Sequence, residues 1–365
     1  MTEKKILIVT SEFPPQPGGI GNHAYHLALY LSKSNFTVSV IADQRAEDNS
    51  EENHFDSKLP FRVIRINLRQ WRFPMYVNRV VRTFKHIRQS DFVIATGKFS
   101  LWNVGFCKQF LKFSSMAVIH GSEVNFKAFG LRLATNLALK QFNNIVAVSK
   151  FTKDLVSSLN LKIEVIPNGI VMEKWELPGF TNLDLKGDPV LTTVGRVSAR
   201  KGQLQVIKIL PELIKVHPNL HYHCIGIPTE AAKFRKESKR LNVDSYITFH
   251  GAVSETHLKQ ILCKSDIFVM LSTESKSGDV EGFGIAILEA NAMGIPAIGS
   301  KGCGIEDAIE NGISGLLVDS DNSENFKKAI DKILINKKTF NKNAIEWANS
   351  HDWHKIVKQY INLIS

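Results

Sequence analysis

The chain has 365 residues, 44% hydrophobic and 22% charged, a balance that excludes a disordered or fibrous protein and suggests two globular domains at roughly 100–200 residues each. Lys and Arg number 46 against 35 Asp and Glu, a net +11, which raises nucleic acid, anionic membrane and phosphorylated substrates as partner classes. Cys107, Cys224, Cys263 and Cys303 lie far apart without a Cys-x-x-Cys pair, so neither a zinc site nor a disulfide framework is indicated and reduced cytosol is the expected compartment.

The first apolar run, Ile6 to Val9, is too short for a signal segment and reads as a first strand. No run approaches the roughly 18 apolar residues of a membrane span, so any membrane association is expected to be peripheral. Short β-branched runs at 6–10, 37–42, 61–66, 92–96, 116–120, 145–148 and 164–166 alternate with amphipathic stretches. That is the pattern of a parallel sheet covered on both faces. After the turn-rich Pro167, Asn168, Gly169 and the segment 178–189 the series restarts, with runs at 190–194, 222–225, 247–250, 267–271, 296–299 and 316–318. The expected fold class is α/β, two Rossmann-like parallel-sheet domains in tandem, facing each other across a cleft. Ligands of such sheets collect at the carboxyl ends of the strands, so function is sought in the loops that follow them.

After the first strand, Gly18, Gly19 and Gly21 open an amphipathic helix. Gly19, Gly21 and Ala24 satisfy the dinucleotide fingerprint G-x-G-x-x-G/A, and Asp43 stands near the end of strand two, where a ribose-binding acid would sit. Taken alone, this points to a dehydrogenase. The fingerprint's turn needs its first glycine directly after the strand, however, and here eight residues with three prolines intervene before Gly19. What remains is a glycine-rich helix start whose amides can approach an anion, beside the plainer reading of a flexible loop.

His120 ends a strand before Gly121, Ser122 and Glu123, which places it at the sheet's carboxyl edge; a structural histidine is the competing reading. In the second half, Arg196, Arg200 and Lys201 stand between a strand and the helix 203–215. They add cations to a positive helix terminus, an arrangement suited to a diphosphate, against the alternative of a solvated basic loop. Glu281 and Glu289, eight apart, flank a glycine loop and an apolar helix start. Carboxylates accept hydrogen bonds from vicinal hydroxyls and glycine-turn amides meet phosphate or sugar, so sugar and ribose fit both roles. A solvated helix face is less comfortable for Glu289 beside Leu288, Ala290 and Ala292.

Together these residues resemble the family 4 retaining glycosyltransferases of the GT-B fold. The glycines 18–21, His120-Gly121, the helix start at 148–153, Pro167-Asn168-Gly169, Gly195-Arg196 with Lys201-Gly202, Phe249-His250-Gly251-Ala252-Val253, and Glu281 with Glu289 follow the family's order over essentially the whole chain. The resemblance implies that Arg196 and Lys201 bind the donor diphosphate and that Glu289 holds the ribose. Glu281 and the backbone of Phe283, Gly284 and Ile285 would hold the transferred sugar, and the Gly18 and Gly19 amides would approach the donor phosphate. His120 resembles the family's active-site histidine, and the loops at Gly226 and at Gly251 to Val253 resemble those that face the nucleobase. It further implies an N-terminal acceptor-side domain, 1–168, completed by a C-terminal helix at 351–365, and a nucleotide-sugar domain, 169–350. Cys303 and Glu306 depart from the family, standing where relatives often show Gly and Pro. Asn291 and Met293, with Gly278, Asp279 and Val280 upstream, look most like mannosyltransferase members that use a guanosine donor.

The implied reaction is retaining transfer of a hexose from a UDP- or GDP-sugar to a glycan or lipid-linked acceptor, in cell-surface polysaccharide or glycolipid synthesis. Fixed charges would stabilise the leaving diphosphate, domain closure would exclude water, and no metal or cofactor is expected, since the matched site lacks an Asp-x-Asp motif. A GT-B-shaped nucleotide-sugar epimerase is the nearest rival. A glycoside hydrolase also uses paired carboxylates but has no use for Arg196 and Lys201. A nucleic-acid-binding protein rests on charge alone, without a recognised module.

That charge is localised. Residues 58–112 carry 12 Lys or Arg and one acid, Asp91, which equals the entire net charge of +11. Within them Val77, Val80, Val81, Phe84 and Ile87 are expected to form one apolar helical face. Arg79, Arg82, His86 and Arg88 populate the others, after Trp71, Phe73, Met75 and Tyr76. A solvated helix is one reading; docking on an anionic membrane at the inner face of the cell membrane, or holding a phosphate-bearing lipid-linked acceptor, is the sharper one. Nucleic acid is not an expected partner.

Overall fold

The computed structural model describes residues 3–68, 72–176, 183–275 and 278–364. It divides into two compact units, Met1–Gly169 with Trp353–Ser365, and Ile170–Asp352. Among the described residues no helix is long and apolar enough to cross a membrane, and all four cysteines are free.

The first unit alternates strand and helix: β1 (Lys5–Thr10), α1 (Gly19–Ser32), β2 (Thr37–Asp43), α2 (Ser50–Asp56), β3 (Arg62–Ile66), α3 (Arg72–Ile87) and β4 (Phe92–Thr96). It continues with α4 (Lys98–Cys107), β5 (Ser114–Ile119), α5 (Phe129–Leu139), β6 (Asn144–Ala147), α6 (Lys150–Asp154) and β7 (Ile163–Val165). The strands form one parallel sheet in the order β3-β2-β1-β4-β5-β6-β7. β1 and β4 are apolar and buried along nearly their whole length, as central parallel strands must be, because helices cover both faces. The order reverses between β1 and β4, so the loops leaving those two strands start side by side at the sheet's carboxyl edge, the place where ligands of such sheets collect.

Two expectations change here. The buried stripe of α3 is Met75, Arg79, Thr83 and Ile87, while Val77 and Val81 are 46% and 59% exposed. The inward face is therefore partly polar, and it is satisfied by partners distant in sequence. Asn103 Nδ2 of α4 donates to Thr83 Oγ1 at 2.7 Å, and Arg79 grips both carboxylate oxygens of Asp43, its Nε lying 3.0 Å from Oδ1. Asp43 is thus a partner of a buried arginine, not a ribose acid, and the dinucleotide reading falls. Trp71 lies outside the described residues.

The second unit contains β8 (Val190–Val194), α7 (Gln203–Val216), β9 (His221–Ile225), α8 (Ala231–Arg240), β10 (Ile247–Gly251), α9 (Glu255–Cys263) and β11 (Ile267–Met270). There follow α10 (Ile285–Ala292), β12 (Ala297–Ser300), β13 (Gly315–Val318), α11 (Ser323–Ile335) and α12 (Lys337–Ser350). Its parallel sheet runs β10-β9-β8-β11-β12-β13 and reverses between β8 and β11. Leu191, Val206, Leu210, Tyr222, Phe234 and Val269 pack helices against this sheet. The last helix, α13 (Trp353–Ile364), belongs to the first unit, where Trp353 packs so tightly on Gly169 that a Cβ there would come within 2.7 Å of the indole.

Candidate active site

In the second unit the order reversal makes the loops after β8 and β11 neighbours, and the backbone laces them together. Thr273 N donates to Arg200 O at 3.0 Å. Gly202, at φ +84°, sits where a Cβ would be 2.2 Å from Leu271 O, so this close approach requires glycine. The lacing brings Glu281 of the second loop onto the cations of the first. Arg200 Nη1 and Lys201 Nζ both lie 2.6 Å from Glu281 Oε2, and Arg200 Nε lies 2.9 Å from Asp279 Oδ2. Burial works to raise the Glu281 carboxyl, but Lys201 and Arg200 outweigh it and hold the group below the usual carboxylate range. Arg196 is exposed, and its guanidinium pairs with no group among the described residues.

Gly284, at φ +91°, starts α10. The amides of Phe283, Gly284 and Ile285 precede or open that helix, where no intrahelical acceptor exists, so helix geometry leaves them able to meet an anion or a hydroxyl. The turn is backed by Gly304, whose N–H donates to Glu281 O at 2.9 Å and where a Cβ would lie 2.0 Å from Gly282 O. The residues that depart from the family close this backing loop. Glu306 Oε1 accepts from Gly302 N at 2.5 Å, and Cys303 Sγ lies 3.5 Å from Ser300 Oγ. One turn into α10, Glu289 is half-buried without a hydrogen bond to any described residue. Burial pushes its carboxyl up to about 7, against the opposing charges of Lys174 and Lys201.

The loops after β9 and β10 reach the same edge. Gly226 N donates to Gly251 O at 2.8 Å, and a Cβ on Gly226 would meet Gly195 O at 2.2 Å, so Gly226 ties the exits of β8, β9 and β10. Val253 follows directly, before Ser254, whose hydroxyl caps α9 by accepting from His257 N at 3.2 Å. Arg196, Lys201, Glu281, Glu289 and the glycine turns therefore gather at one edge of one sheet.

In the first unit Gly19 starts α1 with open space at its Cβ position and no acid in the first turn, so nothing on α1 itself satisfies the amides of that turn. Gly21 has a packing role instead, since a Cβ there would be 3.0 Å from the Glu12 and Phe13 backbone. The proline-rich loop before Gly18 is fastened by Arg65 Nη2 to Pro14 O at 2.5 Å and by Arg45 Nη1 to Pro17 O at 3.3 Å.

His120 lies in the loop just after β5. Its Nε2 is 2.8 Å from Thr96 Oγ1, and its backbone N–H donates to Glu123 Oε1. Burial pushes the imidazole down to about 3, so the ring is neutral at physiological pH. Sequence reasoning missed Glu123 as the anchor of this loop, Arg200 and Asp279 as members of the Glu281 network, and His23, whose ring meets that of His120 at 4.9 Å. A carboxylate three residues after His120 was a readable sign; the others depend on distant pairings.

Comparison with known proteins identifies the family. Residues 17–174 match the model "Glycosyltransferase Family 4", and residues 180–349 match "Glycosyl transferases group 1". The chain belongs to the family 4 glycosyltransferases. Similar proteins include a GDP-mannose-dependent monoacylated alpha-(1-6)-phosphatidylinositol monomannoside mannosyltransferase of Corynebacterium glutamicum, 26% identical and covering 91% of this chain and 89% of the relative. A GDP-mannose-dependent alpha-(1-6)-phosphatidylinositol monomannoside mannosyltransferase of Mycolicibacterium smegmatis is 24% identical, with 90% and 89% covered. Among solved structures, Anabaena Alr3699/HepE in complex with UDP and glucose superposes with TM-score 0.80 at 18% identity over 99% of both chains. A Rickettsia africae glycosyltransferase gives 0.80 at 20% identity, covering 100% of this chain and 98% of that one. These likenesses establish the two-domain GT-B architecture, and the family 4 chain is a glycosyltransferase.

Proposed function

We propose that this family 4 chain transfers a hexose with retention from a nucleotide diphosphate sugar to a lipid-linked or glycan acceptor, without a metal ion. GDP-mannose is the first donor to test, because the curated relatives above are GDP-mannose-dependent, with UDP-glucose second. The observation that carries the reading is the grouping of Lys201 and the α10 N-terminus with Glu281 and Glu289, with Arg196 in the same loop after β8. Arg196 and Lys201 take the diphosphate as charge-assisted donors. Glu289 accepts the ribose hydroxyls, and Glu281 with the Phe283 to Ile285 backbone takes the sugar. Gly226 and Val253 flank the base. The Gly18 and Gly19 amides approach the donor phosphate, and His120, neutral, meets a sugar hydroxyl. The bond from C1 to the diphosphate breaks, the acceptor oxygen bonds C1 on the same face, and the acceptor's proton goes to the leaving diphosphate. Fixed charges of this kind are worth most where charge develops.

On the acceptor side, the basic segment 58–112 and the apolar side chains beside it suit an anionic membrane. Phe73, Val77 and Val81 of α3 and Phe106 of α4 are exposed, and α3 also carries the exposed Arg82 and Lys85, with the exposed Arg88 directly after it. Arg65 and Arg79 are engaged with the buried carboxylates of Glu52 and Asp43 and do not contribute. On this reading the enzyme works in the cytoplasm, peripheral on the inner membrane face, drawn there by anionic lipid.

The test is incubation of the purified chain with GDP-mannose or UDP-glucose and a lipid-phosphate acceptor, followed by NMR of the product anomer. Retained configuration without added metal supports the reading. Inversion, donor epimerisation without acceptor, or an absolute metal requirement overturns it. Sedimentation with phosphatidylglycerol vesicles at low salt tests the membrane part, which fails if the protein stays in the supernatant.

A further inference from the structure

His23 of α1 is a buried imidazole to which the chemistry above gives no part. It is 1% exposed, and its ring lies in an aromatic nest within the first unit. It stands edge-to-face with His120 at 4.9 Å and 76°, and tilted on Trp353 at 5.3 Å. Its Nε2 is 3.0 Å from Tyr360 Oη on α13. Its Nδ1 is buried and bonds to nothing among the described residues. A buried polar atom without a partner costs about 1–3 kcal/mol, so a histidine here is a poor choice for packing alone.

The protonation pattern follows from counting partners. Tyr360 is fully buried, and burial keeps its phenol un-ionised. His23 is held neutral by burial and then by the neighbouring His120 and His26. If Tyr360 O–H donates to His23 Nε2, the proton of His23 sits on Nδ1 and one buried donor is left over. If His23 donates from Nε2, both the Tyr360 hydrogen and the Nδ1 lone pair are left over. The first arrangement leaves fewer groups unsatisfied, so Tyr360 fixes His23 in a single tautomer and a single ring orientation.

On its other side His23 bears on the ring that the proposed reaction uses. His120 has one ring hydrogen bond, to Thr96 Oγ1, and its Nδ1 bonds to no described residue. One hydrogen bond and a backbone anchor leave rotation of the imidazole about its last torsion as the remaining freedom, and the edge-on contact with His23 removes it.

We propose that His23 is a positioning residue: clamped by Tyr360 of the C-terminal helix, it holds the His120 imidazole against Thr96 so that Nδ1 is presented in one orientation to a hydroxyl of the sugar. The inference rests on the reading of His120 as a sugar-facing group, but the clamp itself is observable without any substrate.

The experiment records long-range 1H–15N spectra of the 15N-histidine-labelled full chain, with His120 assigned by His120→Gln. Wild type, Tyr360→Phe and His23→Phe are compared. The wild type should show His23 as the Nδ1–H tautomer, with His23 and His120 both unprotonated from pH 5 to 8. Tyr360→Phe keeps the aromatic packing and removes one hydroxyl, so it should change the tautomer signal of His23 and shift the ring signals of His120. In the transfer assay the same variant should lower kcat about tenfold with the donor KM unchanged, because the lost interaction acts on orientation, not on ground-state binding. His120 ring signals that are identical in wild type and Tyr360→Phe overturn the proposal, even if His23→Phe does not fold. If no nucleotide sugar is turned over, the transferase reading fails while the ring spectra still decide on the clamp.

Discussion

Lys201 and Glu281 are joined by a contact of 2.6 Å between Nζ and Oε2, and Arg200 reaches the same oxygen at the same distance. One carboxylate thus organises two cations that arrive from a different strand. The lysine is held by a shared anion, whereas Arg196, a few residues earlier, has no partner among the described residues. The two cations proposed to meet a diphosphate therefore enter the reaction from different states.

The consequence is a separable pair of variants. Arg196→Ala should leave the melting temperature nearly unchanged, since the side chain removed is exposed and has no polar partner among the described residues. It should nevertheless reduce transfer by about 10²–10³ if that guanidinium meets the leaving diphosphate. Lys201→Ala should reduce transfer comparably and also lower stability, because the half-buried Glu281 loses one of its two counter-charges. Thermal unfolding and turnover measured on the same preparations check both; full activity in Arg196→Ala would remove it from the phosphate site.

Glu289 gives a pH signature. Its carboxyl titrates at about 7 in the folded state, above roughly 4.3 in an unfolded chain. Between those values the folded state binds more protons, so the group contributes stability that is complete below about pH 4 and is lost as pH rises through 7. Glu289→Gln should therefore stabilise the protein at pH 8 and leave it nearly unchanged at pH 4. Ribose hydroxyls favour the carboxylate, so nucleotide affinity of the wild type should rise from pH 6 to 8, and that slope should vanish in the variant. Isothermal titration across this range is the check.

Two glycines at the same edge should respond differently. In Gly226→Ala the new Cβ would meet a backbone carbonyl at 2.2 Å at φ +136°, so the exits of β8 and β9 must separate. Gly251 has φ +75° and nothing within 4 Å, so Gly251→Ala should cost only the backbone penalty of about 1–2 kcal/mol. Urea unfolding should rank Gly226→Ala as clearly the more damaging, with nucleotide binding lost first.

The Asp43–Arg79 pair predicts a purely structural loss. Arg79→Ala leaves a buried carboxylate without its partner and should destabilise the first unit by about 3–5 kcal/mol, while nucleotide affinity in the second unit is unaffected. Binding that weakens in proportion to stability would contradict the separation.

The strands were legible because runs such as Ile6 to Val9 and Phe92 to Ala95 are apolar on both faces, which few structures other than central parallel strands tolerate. The positions of His120, Glu281 and Glu289 in loops and helix starts were legible for a related reason, the glycines that punctuate strand ends. α3 was misread because periodicity assumes that the inward face is apolar. Here that face carries Arg79 and Thr83, whose partners stand 36 and 20 residues away in the chain. The same distance hid Arg200, 81 residues from Glu281, and the partnership of His23 with Tyr360, 337 residues apart. Pairings of that span come from topology, which composition and spacing do not contain.

The most direct test is thermal unfolding of the wild type, Arg196→Ala and Glu289→Gln with GDP-mannose, UDP-glucose and an ADP-sugar. Binding to the folded state alone stabilises by about 2.7 kcal/mol at a hundredfold excess over Kd. The expected result is a rise in melting temperature of the wild type with GDP-mannose or UDP-glucose, sharply reduced in both variants. Equal shifts in all three proteins, or none with any nucleotide sugar, would contradict the assignment of the β8 and β11 loops as the donor site.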